Sequence, residues 1–120
     1  MLVKTYGCAV FGIEATIVTV EVNISNGVNF FLVGLPDSAV KESQQRIQAA
    51  LKNNGYKIPI KEITVNMAPA DIRKEGSAYD MTIAMGILAA SEQIKPDKVS
   101  DYLIMGELSL DGSLQKLKGV

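Results

Sequence analysis

Residues 63–91 read ITVNMAPADIRKEGSAYDMTIAMGILAAS, and the change of period inside this stretch decides the fold class. Taken from residue 62, its first part alternates. Ile63, Val65 and Met67 turn one way and Glu62, Thr64 and Asn66 the other, the period-two signature of a half-buried strand. Ala68-Pro69-Ala70-Asp71 ends that strand. A polar loop, Arg73-Lys74-Glu75-Gly76, leads into a helix over about residues 78–91. The body of this helix, MTIAMGILAA, is apolar almost all round, so it needs cover on more than one side. A two-layer domain covers only one, which predicts an exposed apolar patch or self-association.

The same periodicities extend outward. Residues 5–11 are β-prone and end at Gly12, and residues 18–24 alternate, with Val18, Val20, Val22 and Ile24 on one face. Ser25-Asn26-Gly27 reads as a hairpin turn returning residues 28–34 beside residues 18–24, which makes the opening an antiparallel meander. Pro36-Asp37 switches the period, with Asp37 as N-cap of a helix over 38–53. Val40, Ile47 and Leu51 share one face of it, and Gly55 ends it. Downstream, 102–106 reads as a strand and 108–114 as a tight hairpin around Asp111-Gly112. The order β-β-β-α-β-α-β-β predicts an α+β two-layer sandwich.

A chain of 120 residues is one domain, able to bury roughly two-thirds of its unfolded surface without a metal or a disulfide. Its 12 basic and 13 acidic side chains leave a net charge of -1, so no global field steers nucleic acid or membrane. Histidine is absent, which excludes His bases, His-containing triads and His metal sites. The lone Cys8, in an apolar strand, reads as an inert core thiol. With no secretory leader and no long apolar run, the expected location is the cytoplasm and no membrane partner is expected. The abrupt end at Val120 predicts that residues 1–120 are a single N-terminal domain cut from a longer protein.

No Walker A pattern and no Gly-x-Gly-x-x-Gly occurs, so no cofactor is expected in this piece. Candidate site residues cluster in the loop before the second helix: Arg73, Lys74, Glu75, Gly76, Ser77 and Asp80. Exposed amides at Gly76-Ser77 suit an anion or a partner contact. Ser77 is also a candidate catalytic nucleophile if a lysine serves as its base. The competing structural reading is a reciprocal cap, because Ser77 and Asp80 have Ser-x-x-Asp spacing before an apolar run. The charges of Asp71, Arg73, Lys74 and Glu75 nearly cancel, which suits a solvated loop or an inter-subunit contact. Residues 41–61 carry Lys41, Arg46, Lys52, Lys57 and Lys61 against Glu42 alone, a solvated helix face or a surface that grazes phosphates. Glu107, between apolar residues, calls for backbone amides or Lys74 as partner.

Five strings taken together resemble one family: VTVEVNISNG (18–27), VGLPDSAVKES (33–43), RIQAALKNNGY (46–56), the stretch 63–91 quoted above, and GELSLDG (106–112). They are similar to the N-terminal domain of the YifB/ComM family of bacterial Mg-chelatase-like AAA+ ATPases, over essentially the whole chain. The resemblance implies a fold like the Lon proteolytic domain and the RadA C-terminal domain, shared with GHMP kinases and a ribosomal protein. It also implies that an AAA+ module follows as a partner, that ATP and Mg belong to that module, and that the parent is a homo-hexamer. The implied activity is DNA branch migration during natural transformation, with DNA contact by this domain left open. Against Lon's Lys-Asp-Gly-Pro-Ser-Ala-Gly loop, an ungapped match places Ala78 on the nucleophile and Ser77 beside it. Lon's catalytic lysine would fall just past Val120, so the dyad is absent and a non-catalytic accessory role is implied. A one-residue slip would return Ser77 to the nucleophile, which keeps a cryptic Ser hydrolase as the alternative, with a phosphate-binding module at Gly76 as another.

Overall fold

The computed structural model describes residues 1–11, 13–69 and 76–115. Strand β1 (Leu2–Phe11) pairs antiparallel with β2 (Glu14–Ser25). The order continues with β3 (Phe30–Val33), helix α1 (Asp37–Asn53), β4 (Glu62–Ala68), a 3₁₀ turn (Gly76–Tyr79), α2 (Asp80–Ala90), a second 3₁₀ turn (Val99–Asp101), β5 (Glu107–Leu108) and β6 (Leu114–Gln115). The fold is α+β, with a mixed four-stranded sheet and two helices.

The alternating residues do what their period requires. Val18, Val20 and Val22 of β2 are wholly buried, as are Val65 and Met67 of β4. The antiparallel register sets Val20 opposite Met67, Val22 opposite Val65 and Ile24 opposite Ile63, so the inner face is a continuous apolar surface. Both helices pack into the same core cluster as this face. The outer face carries Lys4, Thr19, Glu21, Thr64 and Asn66, and Asn66 Nδ2 donates to Glu21 Oε1 at 3.0 Å.

The strand order is β1-β2-β4-β3, which corrects the expected meander. Residues 25–27 do not fold β3 back onto β2. Instead β4 lies between them, antiparallel to β2 and parallel to β3, with α1 as the crossover. Alternation encodes which face of a strand is buried and says nothing about its neighbour. The expected strand over 102–106 is reduced to one parallel bridge, Leu103 with Tyr6, and the final hairpin is β5–β6. In its turn, the Ser113 amide and hydroxyl both donate to Asp111 Oδ1 and hold that carboxyl below its ordinary pKa.

Helix α1 begins at Asp37, with Pro36 rather than Asp37 in the N-cap position and Val40 N–H donating to Pro36 O at 3.0 Å. At its other end Gly55 takes φ +81°. Gly55 N–H donates to Lys52 O and Tyr56 N–H to Leu51 O, the paired bonds of a Schellman motif. Helix α2 is covered by its own chain, which corrects the expectation of a bare apolar side. Of its eleven residues all but Met81 and Met85 are buried, because the sheet, α1 and residues 99–108 enclose it. Thr82 ties the layers together: its carbonyl accepts from Thr5 Oγ1 at 2.9 Å and its hydroxyl donates to Ile104 O.

Gly86 sets how closely α2 approaches the sheet. A Cβ there would lie 2.5 Å from Val22 Cγ2, a buried β-branched group that cannot swing away. Gly86→Ala therefore destabilises the domain by about 1–3 kcal/mol through overpacking, despite an intrinsic helix gain of about 1 kcal/mol. Urea unfolding should also show Gly86→Ala with Val22→Ala to be more stable than the sum of the single effects predicts.

Candidate functional site

Asp80 opens α2 and points into the protein rather than back along its own helix. Its side chain is 0% exposed and lies between α1 and β5. Ser43 Oγ donates to Oδ1 at 2.7 Å and Arg46 Nη2 donates to Oδ1 at 3.1 Å. Arg46 Nε donates to Oδ2 at 2.6 Å, and the Leu108 amide donates to the same oxygen at 3.1 Å. Each oxygen thus receives two donors, which satisfies a buried carboxylate. The hydrogen bond to Asp80 raises the Arg46 pKa, against partial desolvation, and the charges of Asp80, Glu107 and Glu42 add to it.

Backbone bonds close the same corner. Gly106 N–H donates to Ala78 O at 2.8 Å, and Met81 N–H donates to Gly106 O at 3.0 Å. A first-turn amide of α2, which a helix start normally leaves to a cap, to solvent or to an anion, is therefore taken by a residue from far along the chain. Tyr79 is buried beside it, with its hydroxyl donating to Cys8 O at 3.1 Å. Asn53 Nδ2 donates to Leu110 O at 2.7 Å and Asn54 Nδ2 to Asp111 O at 2.9 Å, fastening the β5–β6 turn to the end of α1.

Arg73, Lys74 and Glu75 lie outside the described residues, as does Asp71. Gly76 and Ser77 open the 3₁₀ turn, and Ser77 is half-buried. The reciprocal cap does not form. The N-cap position of α2 is Tyr79, no side chain caps it, and Asp80 finds stronger donors in a guanidinium and a hydroxyl of α1. Among the described residues the Ser77 hydroxyl has no hydrogen-bond partner. Glu107 is half-buried and feels Arg46, the cation of the hub. Cys8 is half-buried on the outer face of the sheet, not in the core, because it alternates with the buried Gly7 and Ala9. Of the basic residues in 41–61, Arg46 is committed to Asp80, and Lys41, Lys52, Lys57 and Lys61 are exposed. Among the described residues no cluster of three His, Cys, Asp or Glu is placed to hold a metal.

Sequence reading missed Ser43, Arg46 and the Leu108 amide. One signal was available. Ser43 stands one turn before Ile47 on the buried face of α1, a polar residue at a core position that requires a partner.

Over residues 20–120 the chain matches the family described as subunit ChlI of Mg-chelatase. It is 48% identical over 120 residues to competence protein ComM of Haemophilus influenzae, a match covering 99% of this chain and 24% of that one. To the Escherichia coli protein YifB it is 47% identical over 112 residues, covering 92% of this chain and 22% of that one. A Mycobacterium tuberculosis protein is 38% identical over 118 residues, 98% of this chain and 24% of its own. The chain spans about a quarter of the length of these relatives.

The contacts of Asp80 predict very unequal costs for substitutions at Asp80 and at Ser77. Asp80→Asn leaves Arg46, 20% exposed, facing a neutral amide. The loss is about 3–5 kcal/mol, the cost of breaking a buried pair from one side. Ser77→Ala removes a hydroxyl that bonds nothing described and should change stability by less than about 0.5 kcal/mol. Urea midpoints of the two variants check this, and Arg46→Met combined with Asp80→Asn should recover part of the loss.

Proposed function

The chain belongs to the ChlI family of Mg-chelatase subunits, and on that footing we propose that it is a non-catalytic accessory domain of a ComM-type AAA+ ATPase that acts on DNA. The observation that carries this reading is the Asp80 hub. Asp80, the candidate carboxylate among the described residues, has every acceptor position filled by its own chain, and the adjacent helix start is closed by Gly106. Such a corner braces elements, and its carboxylate is committed to structure rather than free to act as a general base. The match to ComM over nearly the whole chain supports the assignment to competence-linked DNA handling, and the α+β architecture is compatible with a Lon-type sandwich. ATP and Mg act in the remainder of the parent, the parent assembles as a hexamer, and this domain shapes that assembly or meets DNA or another partner. Among the described residues no helix is long and apolar enough to cross a membrane, and the proposed location is the cytoplasm.

A second reading, the Ser hydrolase, has one observation in its favour. The Ser77 hydroxyl is unpartnered among the described residues and stands three residues after Lys74 in the sequence. A fluorophosphonate probe separates the two. The accessory reading expects no adduct at Ser77, and ATPase and branch-migration activity of the full-length protein unchanged by Ser77→Ala. A Ser77 adduct whose formation requires Lys74 would establish the hydrolase. The accessory reading also expects calorimetry to show no stoichiometric ATP binding by residues 1–120.

A further inference from the structure

The two edges of the sheet are treated differently. The outward side of β1 is occupied by its own chain. Ile104 N–H donates to Tyr6 O at 2.7 Å, the Cys8 amide donates to Met105 Sδ at 3.2 Å, and Ser100 Oγ donates to Lys4 O. The other edge, β3, has β4 on one side and, among the described residues, no strand on the other. Ile63 N–H donates to Asn29 O at 2.9 Å, and β3 runs parallel to β4 with Phe31 opposite Thr64. Asn29, Phe31 and Val33 therefore turn their peptide groups toward β4, and Phe30 and Leu32 turn theirs outward. Among the described residues no hydrogen bond reaches those outward groups.

Open edges are ordinarily blunted by lysine, proline or a bulge. β3 has none of these within Phe30–Val33. It also lies in the longest feature of its kind in the sequence: from Val22 to Pro36 there is no charged residue. On the outer face Phe31 is 48% and Val33 55% exposed, and Val28, ahead of the strand, is exposed as well.

We propose that β3 is a self-association surface, on which a second copy of this chain adds its own β3 antiparallel about a two-fold axis. The absence of charge over Val22–Pro36 favours this occupant, because an isologous contact lays two copies of one segment side by side and would double any net charge it carried. The register follows from the outward groups. Phe30 and the partner's Leu32 exchange both backbone hydrogen bonds, as do Leu32 and the partner's Phe30. Phe31 then stands directly opposite the partner's Phe31 as the central non-hydrogen-bonded pair, Cα atoms about 4.5 Å apart. An aromatic pair at that position is favourable. The strand is four residues long, so the contact is smaller than a standard interface and the dimer is weak and reversible. Being two-fold, it closes at two copies. It goes beyond the accessory reading by naming a surface, and it does not depend on DNA or ATP.

Sedimentation equilibrium of the 120-residue chain tests the surface, and a cross-link tests the register. The expected result is a concentration-dependent monomer–dimer equilibrium, weakened roughly tenfold or more by Phe31→Glu, which sets two carboxylates face to face. Ile17→Glu, on the outer face of β2, should leave it unchanged, and thermal melts check that both variants fold. In a Cys8→Ser background, Phe31→Cys should form an intermolecular disulfide on mild oxidation, because the expected Cα separation lies within disulfide range. A chain that stays monomeric at millimolar concentration overturns the proposal. So does a dimer that Phe31→Glu and Ile17→Glu weaken alike, or a Phe31→Cys variant that does not cross-link.

Discussion

The bidentate contact between Arg46 and Asp80 is the constraint on which the arrangement of the helices depends. A carboxylate wholly removed from water is tolerable only if its charge and all its acceptor positions are matched. Matching them requires Ser43 and Arg46 of α1 and the Leu108 amide of β5 to converge on the first residue of α2. Three elements far apart in sequence are thereby fixed in one geometry. Apolar contacts alone would let α1 slide along α2. A directional contact with four donors does not, and that is the service a buried ion pair renders even where its net stabilisation is small.

That convergence explains the enclosure of α2. The bond from Leu108 to Asp80 and the exchange between Gly106, Ala78 and Met81 hold residues 106–108 across the helix start. Residues 99–105 are then drawn along the edge of β1, where Ile104 and Met105 meet Tyr6 and Cys8. A helix with almost no polar face is thus stable inside a domain whose described residues hold one four-stranded sheet, a short hairpin and two α-helices. The missing third layer is replaced by an irregular strap, pinned at one end by a charge and along its length by backbone bonds.

Much of this was legible in the residues. The alternation of Val18, Val20, Val22 and Ile24, and of Ile63, Val65 and Met67, identified the inner face, and each of these residues is buried. The glycine at position 55 marked the end of α1, because only a residue at ease with positive φ completes that motif. The pairing of strands was not legible. Ser25-Asn26-Gly27 has hairpin composition, but the neighbour of β2 is chosen by packing over the core, which local sequence does not describe. The hub was hidden for a related reason. Ser77 and Asp80 have the spacing of a local cap, and Arg46 sits in a run of lysines that resembles any solvated helix face. Only the fold reveals that one cation of that run turns inward. Residues 70–75, where three of the candidate site residues lie, fall outside the described structure.

The insertion of β4 between β2 and β3 has a consequence for the order in which the chain assembles. Residues 28–34 are the first apolar partner to become available to β2, and they are joined to it by a short, glycine-containing turn. Closing the longer loop from Ser25 to Glu62 costs about 2 kcal/mol more in chain entropy, since the cost grows only with the logarithm of length. Hairpins form within microseconds, well before such a loop settles. Chain entropy alone thus favours a β2–β3 hairpin, and the native order β2-β4-β3 rests on the packing of α1 and β4 over the common core, which must outweigh that difference.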